Sequence, residues 1–193
     1  MDPINAAFQE AQECLARFRR DAEHFPLVGR FAALLVETFR AGNKVLSCGN
    51  GGSMSDAMHF AEEWSGRFRA DRPPLPAIAL SDPGHMSCVA NDYGFEHVFA
   101  RQVAALGKPG DLLLLLSTSG NSANLIRAAE EARRLGVRTV GLLGRGGGAL
   151  KPLCDIAILV PGETSDRIQE LHIKIIHAVI DAAERALFPD LSR

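Results

Sequence analysis

His59 and Glu63 stand four residues apart, and on a helix that spacing puts them on one face, about one turn apart. An imidazole beside a carboxylate can be a surface ion pair, half of a metal site, or a base held by its orienting partner. Much further along, Gln169, Glu170, His172 and His177 interrupt an otherwise apolar segment. A histidine in such a segment is more often a hydrogen-bonded core residue than a ligand, but two of them with an amide and a carboxylate in nine residues mark a polar site. Gln169 and His177 are eight residues apart. On an ideal helix their backbones lie about 12 Å apart, so they reach one ion only from above and below, or from two chains.

A second chemistry is written in the run Ser117-Thr118-Ser119-Gly120-Asn121-Ser122, which follows five consecutive leucines and precedes an amphipathic segment. The leucines read as a strand buried on both faces, and Leu125, Ile126, Ala128, Ala129, Ala132 and Leu135 read as one face of a helix. Free backbone N–H groups and the positive end of the helix dipole meet at such a junction, which suits an anion and above all a phosphate. A single N-cap, Ser122 or Asn121, explains one of these residues and not the whole run. A similar strand-to-helix junction lies at Cys48-Gly49-Asn50-Gly51-Gly52-Ser53, where glycines let the backbone approach a ligand and Ser53 can cap the helix that follows. In an open parallel sheet both junctions fall at the carboxyl edge, where ligands bind. Asn91-Asp92 suits a turn or cap, or a pair that bonds substrate hydroxyls. Gly144-Arg145-Gly146-Gly147-Gly148-Ala149 fits the dinucleotide fingerprint only superficially, because too few residues follow for a crossover helix, and it reads as a flexible turn.

The elements that must carry these groups alternate. Strands are expected at 44–48, 77–80, 111–116, 137–143 and 156–160, separated by helices at about 53–67, 94–106 and 123–135, with a helical or loop segment before Asn91 and a short turn near Leu150. Such alternation implies α/β architecture, a parallel sheet with helices on both faces. Two helices precede it, about 3–24 and 26–41, the second ended by Gly42, and a long helix over about 165–187 closes the chain. One three-layer domain does not easily bury the terminal helices as well as its own, so they are expected to pack together and against other subunits.

The chain has 193 residues, enough for one well-buried domain and short for two. A net charge of −2 with interspersed signs points to no nucleic-acid or membrane surface. The sequence shows neither a signal-peptide pattern nor a run long enough to span a bilayer. Cys14, Cys48, Cys88 and Cys154 have no paired spacing and are expected to be reduced thiols in a cytoplasmic protein.

Taken together, Cys48 to Ser53, Asp56 to Glu63, Asn91-Asp92-Tyr93-Gly94, Ser117 to Ser122, and Arg167-Ile168-Gln169-Glu170-Leu171-His172 with His177 resemble the sugar-isomerase (SIS) domain family, most closely its bacterial phosphoheptose isomerase branch. The likeness runs from about Gly42 to Phe188 and accommodates the two leading helices. It implies a flavodoxin-like αβα sandwich with a five-stranded parallel sheet, as a single domain over residues 1–193. Residues 1–41 would be a helical pair used in oligomerisation, and residues 42–188 the core and C-terminal helix. It implies a homotetramer with sites at subunit contacts, and one zinc per subunit held by His59, Glu63, Gln169 and His177. Substrate would meet Asn50, Gly51, Gly52, Glu63, Asn91, Asp92 and Gln169, with Ser117, Thr118, Ser119 and Ser122 on its phosphate. The implied reaction turns sedoheptulose 7-phosphate into D-glycero-D-manno-heptose 7-phosphate, toward lipopolysaccharide core or related glycans, with Glu63 as the base and His177 as the partner acid/base. Rival readings are a non-catalytic SIS protein that binds a partner such as a replication initiator, a sugar-phosphate sensor, and an isomerase of another phosphosugar. Keeping both Glu63 and His177 argues against the first two.

Overall fold

The five leucines of the third strand divide their side chains between two cores. Leu112, Leu114 and Leu116 face one, Leu113 and Leu115 the other, and all five are fully buried. Period-two alternation with apolar residues on both faces is what a central strand of a covered parallel sheet requires. The structure, a computed structural model, describes residues 2–190. Met1 and residues 191–193, the outermost parts of the expected domain, lie outside the described residues.

Helices α1 (Pro3–Arg20) and α2 (His24–Arg40) lead into β1 (Val45–Gly49) and α3 (Gly52–Ser65). Next come β2 (Ala77–Ala79), α4 (Pro83–Tyr93), a 3-10 turn at Phe95–His97 and α5 (Val98–Leu106). After β3 (Leu112–Ser117), α6 (Ala123–Leu135) and β4 (Arg138–Gly144), a second 3-10 segment, Arg145–Leu153, leads to β5 (Ile156–Val160) and α7 (Ser165–Leu187). The sheet is parallel throughout, in the order β2-β1-β3-β4-β5. Helices α1, α2, α3 and α7 cover one face and α4, α5 and α6 the other. The strand order reverses between β1 and β3, which are hydrogen-bonded neighbours with Gly49 opposite Leu116. Ligand crevices open at such a reversal, beyond the carboxyl ends of the two strands.

The terminal helices behave differently from each other. Ile168, Leu171, Ile175, Ile176, Val179, Ile180 and Ala183 make α7 a full member of the domain, packed on α2, α3 and the sheet. The terminal helices pack together, as expected, with α7 against α2 and α1, and α7 is also buried within the domain itself. By contrast α1 buries only Cys14 and Phe18 and leaves Ile4 and Phe8 in solvent. The first helix also ends at Arg20 rather than His24, because Asp21 turns the chain and His24 opens α2. The segment before Asn91, read as helical or loop, is a helix capped by Asp82, whose side chain accepts from the His85 N–H. Among the described residues no helix is long and apolar enough to cross a membrane. The four cysteines are free thiols, with Cys14 and Cys48 buried, Cys154 half-buried and Cys88 exposed.

Candidate active site

The turn after β1 is built for close approach. Gly51 has φ +55°, and a Cβ on Gly52 would lie 2.7 Å from the Gln169 side-chain amide. Gly51, not Ser53, occupies the N-cap of α3, which corrects the expected cap. Ser53 lies inside the first turn, buried, and its hydroxyl accepts a hydrogen bond from Gln169 Nε2 at 3.4 Å. The turn is tied to the neighbouring loop by two reciprocal amide bonds. Asn50 Nδ2 donates to Asn124 Oδ1 at 3.0 Å, and Asn124 Nδ2 donates to Asn50 Oδ1 at 2.8 Å. Asn124, buried in the first turn of α6, escaped the sequence reading because its partner is 74 residues away.

The hydroxyl loop after β3 holds itself in shape. Gly120 N–H donates to Ser117 Oγ at 2.9 Å and Asn121 N–H to Ser119 Oγ at 3.2 Å, while Thr118 and Ser165 share a hydroxyl–hydroxyl bond of 3.2 Å. Ser122 takes the N-cap position of α6 without a side-chain capping bond, so its hydroxyl does not cover the helix end. The glycine-rich segment 144–149 is the backing of this loop. Leu150 N–H donates to Gly120 O at 2.9 Å and Ala149 N–H to Asn121 Oδ1 at 3.0 Å. Gly120, at φ +66°, presses so closely on Gly147 that a Cβ would collide with the Gly147 carbonyl. What reads in sequence as a flexible turn is therefore hydrogen-bonded to the candidate phosphate cradle.

Further down α3 the acid–base groups gather. His59 Nε2 lies 3.1 Å from Glu63 Oε1, and the rings of His59 and His177 are 5.1 Å apart. One ligand atom from each of His59, Glu63 and His177 falls within 4.8 Å of the other two. Two imidazoles and a carboxylate are a donor set that zinc accepts, with a further position left for another ligand. Glu63 is buried and His59 half-open. Burial, and secondarily the neighbouring His59, hold the His177 imidazole below the ordinary histidine range, while Glu63 opposes the shift. His177 is thereby biased toward the neutral form that can take a proton or bind a metal. One turn before His59, burial raises the Asp56 carboxyl to about 6, with His59 pulling it down, and its Oδ2 has no hydrogen-bond partner among the described residues.

The structure does not gather every expected residue. Gln169 lies beside the start of α3, against Gly52 and Ser53, while His177 lies beside His59 on the same helix. Within one chain Gln169 thus lies at the glycine turn rather than in the His59–Glu63–His177 group, in keeping with the eight residues between Gln169 and His177. Asn91 and Asp92 sit exposed at the end of α4, where Asn91 Nδ2 donates to Asp92 Oδ1 at 2.8 Å. Their hydrogen bonds join them to each other and to Cys88, not to the groups of the cleft.

The SIS domain model matches residues 8–144. A phosphoheptose isomerase of Fusobacterium nucleatum is 50% identical over 185 residues, covering 96% of this chain and 95% of that protein. The solved phosphoheptose isomerase of Francisella tularensis superposes with a TM-score of 0.91 at 39% identity, covering 95% of this chain and 97% of the other. That of Neisseria gonorrhoeae superposes with a TM-score of 0.87 at 38% identity, covering 94% and 96%.

Proposed function

Because the chain belongs to the SIS-domain family, and within it to the phosphoheptose isomerases, we propose that it interconverts sedoheptulose 7-phosphate and D-glycero-D-manno-heptose 7-phosphate, in the supply of heptose for lipopolysaccharide core or related glycans. The observation that carries the reading is the convergence of His177 of α7 on His59 and Glu63 of α3, the helix that starts at the glycine turn of the ligand crevice.

Phosphate binds at the 117–122 loop, on Ser117, Thr118, Ser119 and Ser122 and on the free N–H groups at the start of α6. This fixes the sugar's far end and leaves C1 and C2 to reach α3 and α7, the positioning that makes a proton transfer intramolecular. Asn50, Gly51, Gly52 and Gln169 contact the sugar, as do Asn91 and Asp92. Sites at the subunit contacts of a homotetramer give the last two a route to substrate. The exposed Ile4 and Phe8 of α1 and the exposed Phe25 supply apolar surface for such contacts.

Glu63 takes a proton from C1 of the ketose, giving an enediol, and the proton returns at C2. His177 moves the accompanying proton between the two oxygens, so that the aldose has the same atoms as the ketose. The donor set of His59, Glu63 and His177 fits zinc, which when bound would polarise the carbonyl and hydroxyl oxygens. Gln169 joins that set only across a subunit contact. A carboxylate that gives its lone pair to a metal is a weaker base, so Glu63 serves one role at a time. The protein acts in the cytoplasm, where its substrate is soluble and its thiols stay reduced.

Turnover of a panel of ketose phosphates, with and without a chelator, tests the reading. Sedoheptulose 7-phosphate is expected to be converted fastest, and chelation to lower the rate. Faster conversion of another ketose phosphate would reassign the substrate, and inactivity on all of them would refute the isomerase.

A further inference from the structure

The fully buried guanidinium of Arg72 lies outside the glycine turn, the hydroxyl loop and the His59–Glu63–His177 group. It belongs to the irregular segment between α3 and β2, and the segment folds back so that its side chain meets the C-terminal end of α3. Nη2 donates to the backbone carbonyl of Glu63 at 2.5 Å and Nη1 to that of Trp64 at 2.6 Å. Nε donates to Glu184 Oε1 on α7 at 2.9 Å. The guanidinium also lies over the Trp64 ring, 5.7 Å from its centroid. The last carbonyls of a helix have no partner within it, and a cation there meets the negative end of the dipole. Only a planar fork with several donors can satisfy two such carbonyls and a carboxylate together.

Both helices joined by this clamp carry the acid–base groups. The carbonyl held by Nη2 is that of Glu63 itself. Glu184 follows His177 by seven residues, two helical turns, or about 10.5 Å along α7. A slide of α3 against α7 by a single residue's rise, about 1.5 Å, would separate Glu63 and His59 from His177. We propose that Arg72, paired with Glu184, is a positioning residue that sets the axial register of α3 on α7, and so brings Glu63 and His59 to His177. The proposal rests on the isomerase reading for its kinetic consequence and on the geometry alone for its effect on the His59–Glu63–His177 donor set.

The test compares Arg72→Lys with the apolar pair Arg72→Met/Glu184→Leu, using Arg134→Ala on the far face as a control. Turnover is read as kcat and KM, and zinc affinity is titrated separately without substrate. A lysine keeps the charge but gathers its donors on one nitrogen and cannot span both the α3 carbonyls and Glu184, so kcat should fall about 10- to 100-fold with KM within about twofold, and zinc should bind about 10- to 100-fold more weakly. Replacing both members of a buried ion pair by apolar side chains leaves no unpaired charge, but the Glu63 carbonyl loses its donor, so the double variant should retain a cooperative melt at a Tm below that of the wild type. It should remain impaired in both readouts even so. If Arg72→Lys loses its fold, the double variant carries the test. Wild-type kcat and zinc affinity in a folded variant that lacks the fork would overturn the proposal. Inactivity of the wild type on the heptulose phosphate would instead overturn the functional reading, and the zinc titration would still judge the clamp.

Discussion

His172 shows what a histidine costs when it serves no site. Its side chain is fully buried on α7 and neither ring nitrogen has a hydrogen-bond partner among the described residues. Burial pushes its pKa down to about 3, against an ordinary value of 6.5. Between those two pH values the unfolded chain binds a proton that the folded chain refuses. Stability is therefore unaffected by this residue above about pH 6.5 and falls as the pH drops toward 3, by up to about 1.4 kcal/mol per pH unit. His172→Leu removes both the unpartnered nitrogens and the proton uptake. It should stabilise the protein by about 1–3 kcal/mol and flatten the fall of Tm between pH 7 and pH 5. Thermal melts across that range check it, and an unchanged acid dependence would contradict it. His172 and His177 are alike in sequence, five residues apart on one apolar helix, and only packing separates a core imidazole from one beside a carboxylate. The same holds for Arg72 and Asn124, whose side-chain partners Glu184 and Asn50 lie 112 and 74 residues away, beyond any local pattern.

Elements with strong periodicity were legible, and those whose limits depend on tertiary contacts less so. Helices α6 and α7 span the expected residues because their stripes are broad, and β5 because it is bounded on both sides. Helix α4 was not distinguished from a loop, since Pro83-Gly84 resembles a turn and only Val89 is buried on it. The break between α1 and α2 shifted because Asp21 rather than His24 interrupts the helix. The loop after β3 was legible as a strand-to-helix junction, but its support was not: the 144–149 glycines hold it from behind. Gly120→Ala puts a side chain at positive φ against the Gly147 backbone. It should destabilise the protein by at least about 1–2 kcal/mol and raise KM for a phosphorylated ketose more than it lowers kcat. Melting and steady-state kinetics measure the two effects, and an unchanged KM would place phosphate binding elsewhere.

At the scale of the whole molecule, the strand order does the assembling. The reversal between β1 and β3 sets Asn50 and Asn124 side by side, so the glycine turn after β1 and the hydroxyl loop after β3 are joined at one edge of the sheet. Absorption of α7 onto the α3 face then brings the second histidine to the first. The motifs were legible separately, but their meeting depends on topology and on helix register. The most direct measurement is the conversion of sedoheptulose 7-phosphate in D2O, followed by proton NMR, for the wild type and Glu63→Gln. An enediol route through Glu63 predicts deuterium at C2 of the aldose product from the wild type, and a rate about 100- to 10,000-fold lower in the variant. Conversion at the wild-type rate by Glu63→Gln would contradict the assignment of this carboxylate as the base.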